Sequence, residues 1–199
     1  MKIVLASASP RRKELLMRMG LTEFSVITSD VDETLQDDLS LAQQVERLSL
    51  LKAQSVTNLV PGDCLIIAAD TVVTLDGTIL GKPADEADAF SMLSALSGTR
   101  HQVYTGVTVI QQGKSLTRHE MTHVDFRPLS PEEIRQYIST KECMDKAGSY
   151  GIQGFGCLLV EGIVGDYYNV MGLPVVCLAR MLNEFGIDCL KNAAKEYQP

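Results

Sequence analysis

Paired cysteines, long apolar runs and any surplus of positive charge are missing from this 199-residue chain. Its five cysteines, Cys64, Cys143, Cys157, Cys177 and Cys189, are odd in number and never form a CxxC pair. That speaks against a disulfide framework and a cysteine-based zinc site, and for a reducing, cytoplasmic setting. The longest apolar stretches, such as residues 65–69 and 175–179, fall far short of the ~20 residues that cross a bilayer, so no membrane partner is expected. Acidic residues outnumber basic ones 25 to 18, for a net charge of −7. Such a balance argues against general binding to nucleic acid or anionic lipid. Repeats, charge blocks and low-complexity segments are absent too.

What is there is globular: 45% hydrophobic and 22% charged residues, proportions that bury a core and exclude disordered or fibrous classes. The length suits a single domain over residues 1–199. The N-terminus imitates a signal peptide, with Lys2, apolar residues 3–6 and Ala6-Ser7-Ala8. Four apolar residues are too few for the ~7–15 of a hydrophobic region, so residues 3–7 read better as a first, buried strand.

Residues 10–19 then read as a helix, with Ser9 as N-cap, Pro10 in the first turn and Gly20 after the end. A short strand over 24–28 leads to an acidic loop, Asp30-Val31-Asp32-Glu33-Thr34. The spacing of Leu41, Val45, Leu48, Leu51 or Lys52, Ser55 or Val56, and Leu59 predicts a long helix over 40–59. Residues 65–75 form an apolar strand broken by one acid, Asp70, and Asp76-Gly77 turns it into a short strand over 78–80. Helices are expected over 85–96, 130–139 and 172–185, and strands over 102–111, 115–126 and 158–164. Strands interspersed with helices and two hairpins give an α/β class with a mixed sheet.

Four motifs imitate familiar chemistry. His119-Glu120-Met121-Thr122-His123 matches HExxH, which holds zinc only on a helix. Its Thr-rich surroundings predict a strand, where residues four apart stand ~13 Å from each other. Ala147-Gly148-Ser149-Tyr150-Gly151 lacks the buried strand that a nucleophile elbow needs. Gly77 to Pro83 is one residue short of a P-loop, and Pro83 stands where a magnesium-binding hydroxyl belongs. Gly151 to Gly156 has its glycines in the wrong order for a dinucleotide fingerprint.

The informative segment is Ser7-Ala8-Ser9-Pro10-Arg11-Arg12. It lies where a strand hands over to a helix, so first-turn N–H groups, two hydroxyls and two guanidiniums converge. Cations oppose the macrodipole at a helix N-terminus, and an anion between them resolves the conflict. Asp70, a carboxylate inside a buried strand, must be paired, hydrogen-bonded or metal-bound. Glu33 is the natural second carboxylate for a hard divalent cation, and Lys52 and Lys82 add two more cations for a polyphosphate.

Several blocks together resemble one family. Ser7 to Leu16, Ala69-Asp70-Thr71-Val72-Val73, Gly81-Lys82-Pro83, Leu96-Ser97-Gly98 with His101, Thr105-Gly106-Val107, Asp145 to Gly154 and Gly165 to Pro174 are similar, in order and spacing, to the Maf nucleotide pyrophosphatases. The resemblance runs from residue 3 to about residue 180. Two mild departures are Ala68, where a glycine is common, and Ser49, where an alanine is. The resemblance implies the elongated mixed sheet with flanking helices of inosine triphosphate pyrophosphatases, two lobes around a central cleft, and a cytoplasmic homodimer. It implies cleavage of nucleoside triphosphates between the α and β phosphates, with a divalent cation, Mg2+ or Mn2+. Asp70 would then be the proton acceptor and, with Glu33, a metal ligand. Ser7, Ser9, Arg11, Arg12, Lys52, Thr71, Lys82 and Gln153 would bind substrate. Arg12, Thr71 and Gln153 fall on positions tied to base preference, and their combination is similar to the branch acting on dTTP, UTP and modified pyrimidine nucleotides. The alternative is a regulatory protein that senses nucleotides without turnover.

Overall fold

A computed structural model describes residues 2–36 and 38–196. In chain order the elements are β1 (Ile3–Leu5), α1 (Pro10–Arg18), β2 (Phe24–Val26), α2 (Leu41–Thr57), β3 (Leu65–Leu75), β4 (Thr78–Leu80) and α3 (Glu86–Leu96). There follow β5 (Arg100–Gln111), β6 (Lys114–Phe126), α4 (Pro131–Ser139), β7 (Val160–Val164), α5 (Tyr167–Met171), α6 (Val175–Asn183) and α7 (Cys189–Glu196). The strands form one seven-stranded sheet in the order β2-β1-β3-β5-β6-β7, with β4 paired to β3. Pairs β1/β2 and β1/β3 are parallel, whereas β3/β4 and β6/β7 are antiparallel. The sheet is therefore mixed, as expected. No helix among the described residues is long and apolar enough to cross a membrane.

The chain divides into two compact units. The first comprises Met1–Asp70, Thr105–Glu120 and Gly172–Pro199, and the second Thr71–Tyr104 and Met121–Met171. Strands β3, β5 and β6 each pass from one unit into the other.

In the first unit, α2 lies on one face of the sheet. Ala53 and Val56 of α2 pack with Val4, Ala6, Cys64, Ile66, Ala68 and Ile110 in a continuous core. Alternation along a strand sends Ile66, Ala68 and Asp70 to the same face, so the acid points toward the helix. Along α2, Val45, Leu48, Lys52 and Val56 follow the helical period and all are buried. Lys52 thus continues the apolar stripe. A capping box, in which Ser40 and Gln43 satisfy each other's backbone N–H groups, starts this helix. Gly106 on β5 explains how close the helix comes: a Cβ there would lie 2.1 Å from the Val45 carbonyl oxygen. Ser49, the departure from alanine, is fully buried. Its hydroxyl donates to the Glu46 carbonyl and meets the Thr108 hydroxyl, both at 2.9 Å.

In the second unit, the β3–β4 hairpin turns on Asp76 and Gly77, both with positive φ (49° and 81°), the arrangement of a type I′ turn. His101, Phe126 and Tyr150 pack edge to face in a buried triangle, with ring centroids 4.7–5.3 Å apart. Asn169 of α5 is fully buried, and its amide donates to the Val103 carbonyl and the Thr122 hydroxyl, both at 3.0 Å.

Several boundaries differ from expectation. Strand β1 ends at Leu5 rather than residue 7, although the Ala6 N–H still donates to the Ile67 carbonyl at 2.8 Å. Helix α6 starts at Val175 because Pro174 takes the N-cap position. Residues 158–159 belong to a 3-10 turn and its cap (Gly154–Leu158 with Leu159), not to β7. Helices α5 and α7 were not anticipated.

Candidate active site

The strand-to-helix handover behind β1 folds as its sequence demands. Ser9 caps α1, and its hydroxyl accepts from the Arg12 N–H. The Ser7 hydroxyl accepts from the Ser9 N–H and from Arg12 Nη1, each at 3.2 Å. On its other side Arg12 donates Nε to the Gly172 carbonyl at 2.8 Å. The guanidinium is therefore held in one orientation by a hydroxyl and a backbone carbonyl. Burial pulls its pKa below the ordinary arginine value, and the neighbouring Arg11 adds to this. Asp70 and Glu33 act in the opposite direction, stabilising its charge. The paired arginines and the two acids thus share one electrostatic environment.

Asp70 is 5% exposed and sits inside β3, not at a rim. Lys52, reaching from α2, places Nζ 2.5 Å from Asp70 Oδ1 and 2.8 Å from Glu33 Oε1. The costly buried carboxylate is neutralised by a buried ammonium. Glu33 comes from the acidic loop after β2, and its side chain remains 61% exposed. Ser7, Ser9, Arg12, Glu33, Lys52 and Asp70 therefore belong to one constellation in the first unit, with Arg11 beside Arg12. The ammonium's position between two acids was not anticipated; Lys52 was expected only as a phosphate ligand.

Thr71 follows Asp70 directly in β3. Lys82 lies in an exposed Gly-Lys-Pro turn after β4, where the Gly81 carbonyl accepts from the Gly148 N–H at 3.0 Å. Gln153, part-exposed, starts the 3-10 turn Gly154–Leu158 without capping it. These three residues belong to the second unit.

Among the described residues no group of three or more His, Cys, Asp or Glu side chains could hold a metal on its own. Two carboxylates on one centre are nevertheless an ordinary donor set for Mg2+, which takes one or two carboxylates and completes its shell with water and substrate phosphates. Asp70 and Glu33 fit that requirement.

The imitated motifs dissolve in three dimensions. His119 to His123 lie in β6, so HExxH has no helix to gather its imidazoles, and His119 Nδ1 instead meets Glu46 Oε1 at 2.8 Å. Ser149 is fully buried, with its hydroxyl 3.1 Å from Met92 Sδ, and is no exposed nucleophile.

One functional candidate escaped the sequence. Glu142 receives hydrogen bonds from Phe155 N–H, Gly156 N–H and the Tyr137 hydroxyl. Its neighbours Lys141 and Cys143 complete no motif with it, and no local pattern marks a residue whose backbone partners lie 13 and 14 positions away.

Comparison with known proteins points one way. The family profile described as "Maf-like protein" matches residues 2–185. A dTTP/UTP pyrophosphatase of Moorella thermoacetica is 50% identical over 189 residues, 94% of this chain and 96% of the relative. The dTTP/UTP pyrophosphatase of Symbiobacterium thermophilum is 50% identical over 193 residues, covering 97% and 98%. Among solved structures, the Staphylococcus aureus Ham1 protein aligns over 78% of both chains with 18% identity and a TM-score of 0.47. With a profile match spanning almost all of its length and relatives matched nearly end to end, the chain belongs to the Maf family.

Proposed function

We propose that this chain hydrolyses nucleoside triphosphates, dTTP and UTP foremost, to the monophosphate and pyrophosphate. The observation that carries the reading is the Lys52–Asp70–Glu33 cluster in the electrostatic range of Arg12. The names of the half-identical relatives support the substrate class.

The residues divide the work by position. The Ser9 helix start, with first-turn N–H groups and Arg11 and Arg12, binds the triphosphate. Arg12 is fixed by Ser7 and Gly172 and so meets the phosphate in a set orientation. Lys52 pairs with Asp70 in its buried setting, and the Asp70 carboxylate accepts the proton of the attacking water at the α-phosphorus. A divalent cation on Asp70 and Glu33, Mg2+ or Mn2+, would neutralise phosphate charge and acidify bound water. The cationic side chains then stabilise the departing pyrophosphate. Lys82 contributes to the phosphates and Thr71 and Gln153 to the base, assignments that the family resemblance supports. The Gln153 amide offers both a donor and an acceptor, the pair that complements a pyrimidine N3–H and carbonyl.

The family resemblance also supports a cytoplasmic homodimer, which light scattering on the purified chain tests. Pyrophosphate release over a panel of dTTP, UTP and purine triphosphates with Mg2+ tests the activity itself. Turnover of the pyrimidine nucleotides is expected. Binding of the panel without any release would replace the enzyme by a nucleotide sensor.

A further inference from the structure

Gln153 stands between glycines at 151, 154 and 156, a composition that is entropically costly to hold in one conformation. A side chain that reads a base cannot ride on a loose backbone, and the structure supplies the brace. Glu142 Oε2 accepts from the Phe155 N–H at 2.8 Å. Glu142 Oε1 accepts from the Gly156 N–H at 3.0 Å and from the Tyr137 hydroxyl at 3.0 Å. The same hydroxyl accepts from the Gly151 N–H at 3.2 Å. Backbone amides two residues before and two residues after Gln153 are thereby tied to one carboxylate, directly or through one phenol. Charge-assisted bonds of this kind are stronger than neutral ones.

The glycines fit the same design. Gly154 has φ +62°, and a Cβ there would stand 2.3 Å from Glu142 Oε2, so the carboxylate fills the space that the missing side chain opens. A Cβ on Gly156 would stand 2.1 Å from the Gly151 carbonyl oxygen, so the two ends of the loop touch backbone to backbone. Tyr137 is 5% exposed and burial raises its pKa, which keeps the phenol a neutral donor. Lys146 closes the arrangement: its ammonium donates to the Glu142 carbonyl and, at 2.7 Å, to Asp145 Oδ1, while its stem packs on Gly151.

We propose that Glu142 is a positioning residue for base recognition: its carboxylate fixes the 151–156 backbone so that the Gln153 amide meets the pyrimidine edge in one orientation. Glu142 touches no substrate in this role. The inference rests on the assignment of Gln153 to the base.

The test uses the full chain with Glu142→Gln, Glu142→Ala and Gln153→Ala. Values of kcat and KM are measured for dTTP, UTP and a purine triphosphate, with hydrogen exchange at Phe155 and Gly156. Glu142→Gln keeps the shape but turns one acceptor into a donor. The expected result is a ~10-fold loss in the pyrimidine-to-purine ratio of kcat/KM, carried mainly by KM, with faster exchange at both amides. Gln153→Ala is expected to lower the same ratio without that change in exchange. An unchanged ratio in both Glu142 variants, beside a collapsed ratio in Gln153→Ala, overturns the positioning role alone. An unchanged ratio in Gln153→Ala overturns the base assignment and this inference with it. An equal loss of kcat for every nucleotide in Glu142→Gln also overturns it, marking a general structural part. Should the Glu142 variants fail to fold, Tyr137→Phe removes the phenol's bonds to Gly151 and to Glu142 Oε1 and leaves the carboxylate on the Phe155 and Gly156 amides. A smaller fall in the ratio, about 2–5-fold, then supports the brace, and no change overturns it.

Discussion

The ammonium of Lys52 lies 2.5 Å from Asp70 Oδ1, with the two side chains only 11% and 8% exposed. One partner comes from a helix and the other from a strand, so the pair exists only when α2 is seated on the sheet. Removing either charge has a different consequence. Lys52→Met leaves an uncompensated acid in the core and should cost ~3–5 kcal/mol of stability at neutral pH, read from urea unfolding. Asp70→Asn leaves the ammonium with Glu33 and a neutral amide. The fold should survive by circular dichroism while pyrophosphate release falls ~10²–10⁴-fold. Retention of substantial turnover in that variant would remove Asp70 from the role of proton acceptor.

Glu33 is the exposed member of the cluster, and its expected part is in cation binding. Glu33→Gln should raise the Mg2+ concentration for half-maximal rate roughly tenfold, with a smaller effect at saturating metal. Chelation should stop wild-type turnover and added Mg2+ or Mn2+ restore it. A variant with an unchanged metal titration would leave Asp70 as the lone carboxylate ligand.

His101 makes stability depend on pH. Burial holds its pKa down at about 4, against a small opposing pull from Asp125. Its Nε2 meets the Tyr150 hydroxyl at 2.8 Å and Nδ1 has no partner. The folded chain therefore keeps the ring neutral where the unfolded chain protonates it, and between these pKa values the unfolded state binds more protons. Stability from this residue is complete above about pH 6.5 and is lost as pH falls toward 4. Its size is on the order of 3 kcal/mol. Melting temperatures from pH 7 to 4.5 should fall more steeply for the wild type than for His101→Gln. Parallel curves would show that the ring is protonated in the fold.

Gly106→Ala tests the seating of α2. The new methyl would meet the Val45 backbone, which cannot yield as a side chain can. A stability loss of ~1–3 kcal/mol is expected. Activity should fall as well, because the displaced helix carries Lys52. Unaltered melting and turnover would mean that α2 can shift without disturbing the ion pair.

Much of this was legible in the residues. The start of α1 was readable because a cap, a proline and an apolar stripe agree at one place. Strand β3 and its buried acid were readable from an apolar run with a single interruption. Helices α5 and α7 were not: one has only five residues, Tyr167–Met171, and the other, Cys189–Glu196, has only eight, although Asp188 caps it, its Oδ1 accepting from the Lys191 N–H at 3.0 Å. In the site, residue types were visible but their partners were not. That Lys52 bridges Asp70 and Glu33 depends on the register of α2 over β3, a tertiary quantity without a period in the sequence. Glu142 was invisible for the same reason.

The cysteines give the chain a built-in handle. Cys64, Cys143, Cys177 and Cys189 are buried, whereas Cys157 is exposed and belongs to the turn that Glu142 holds. A maleimide fluorophore added to the unaltered protein would attach preferentially there. Its anisotropy would follow the order of that turn in real time, with no engineered thiol needed.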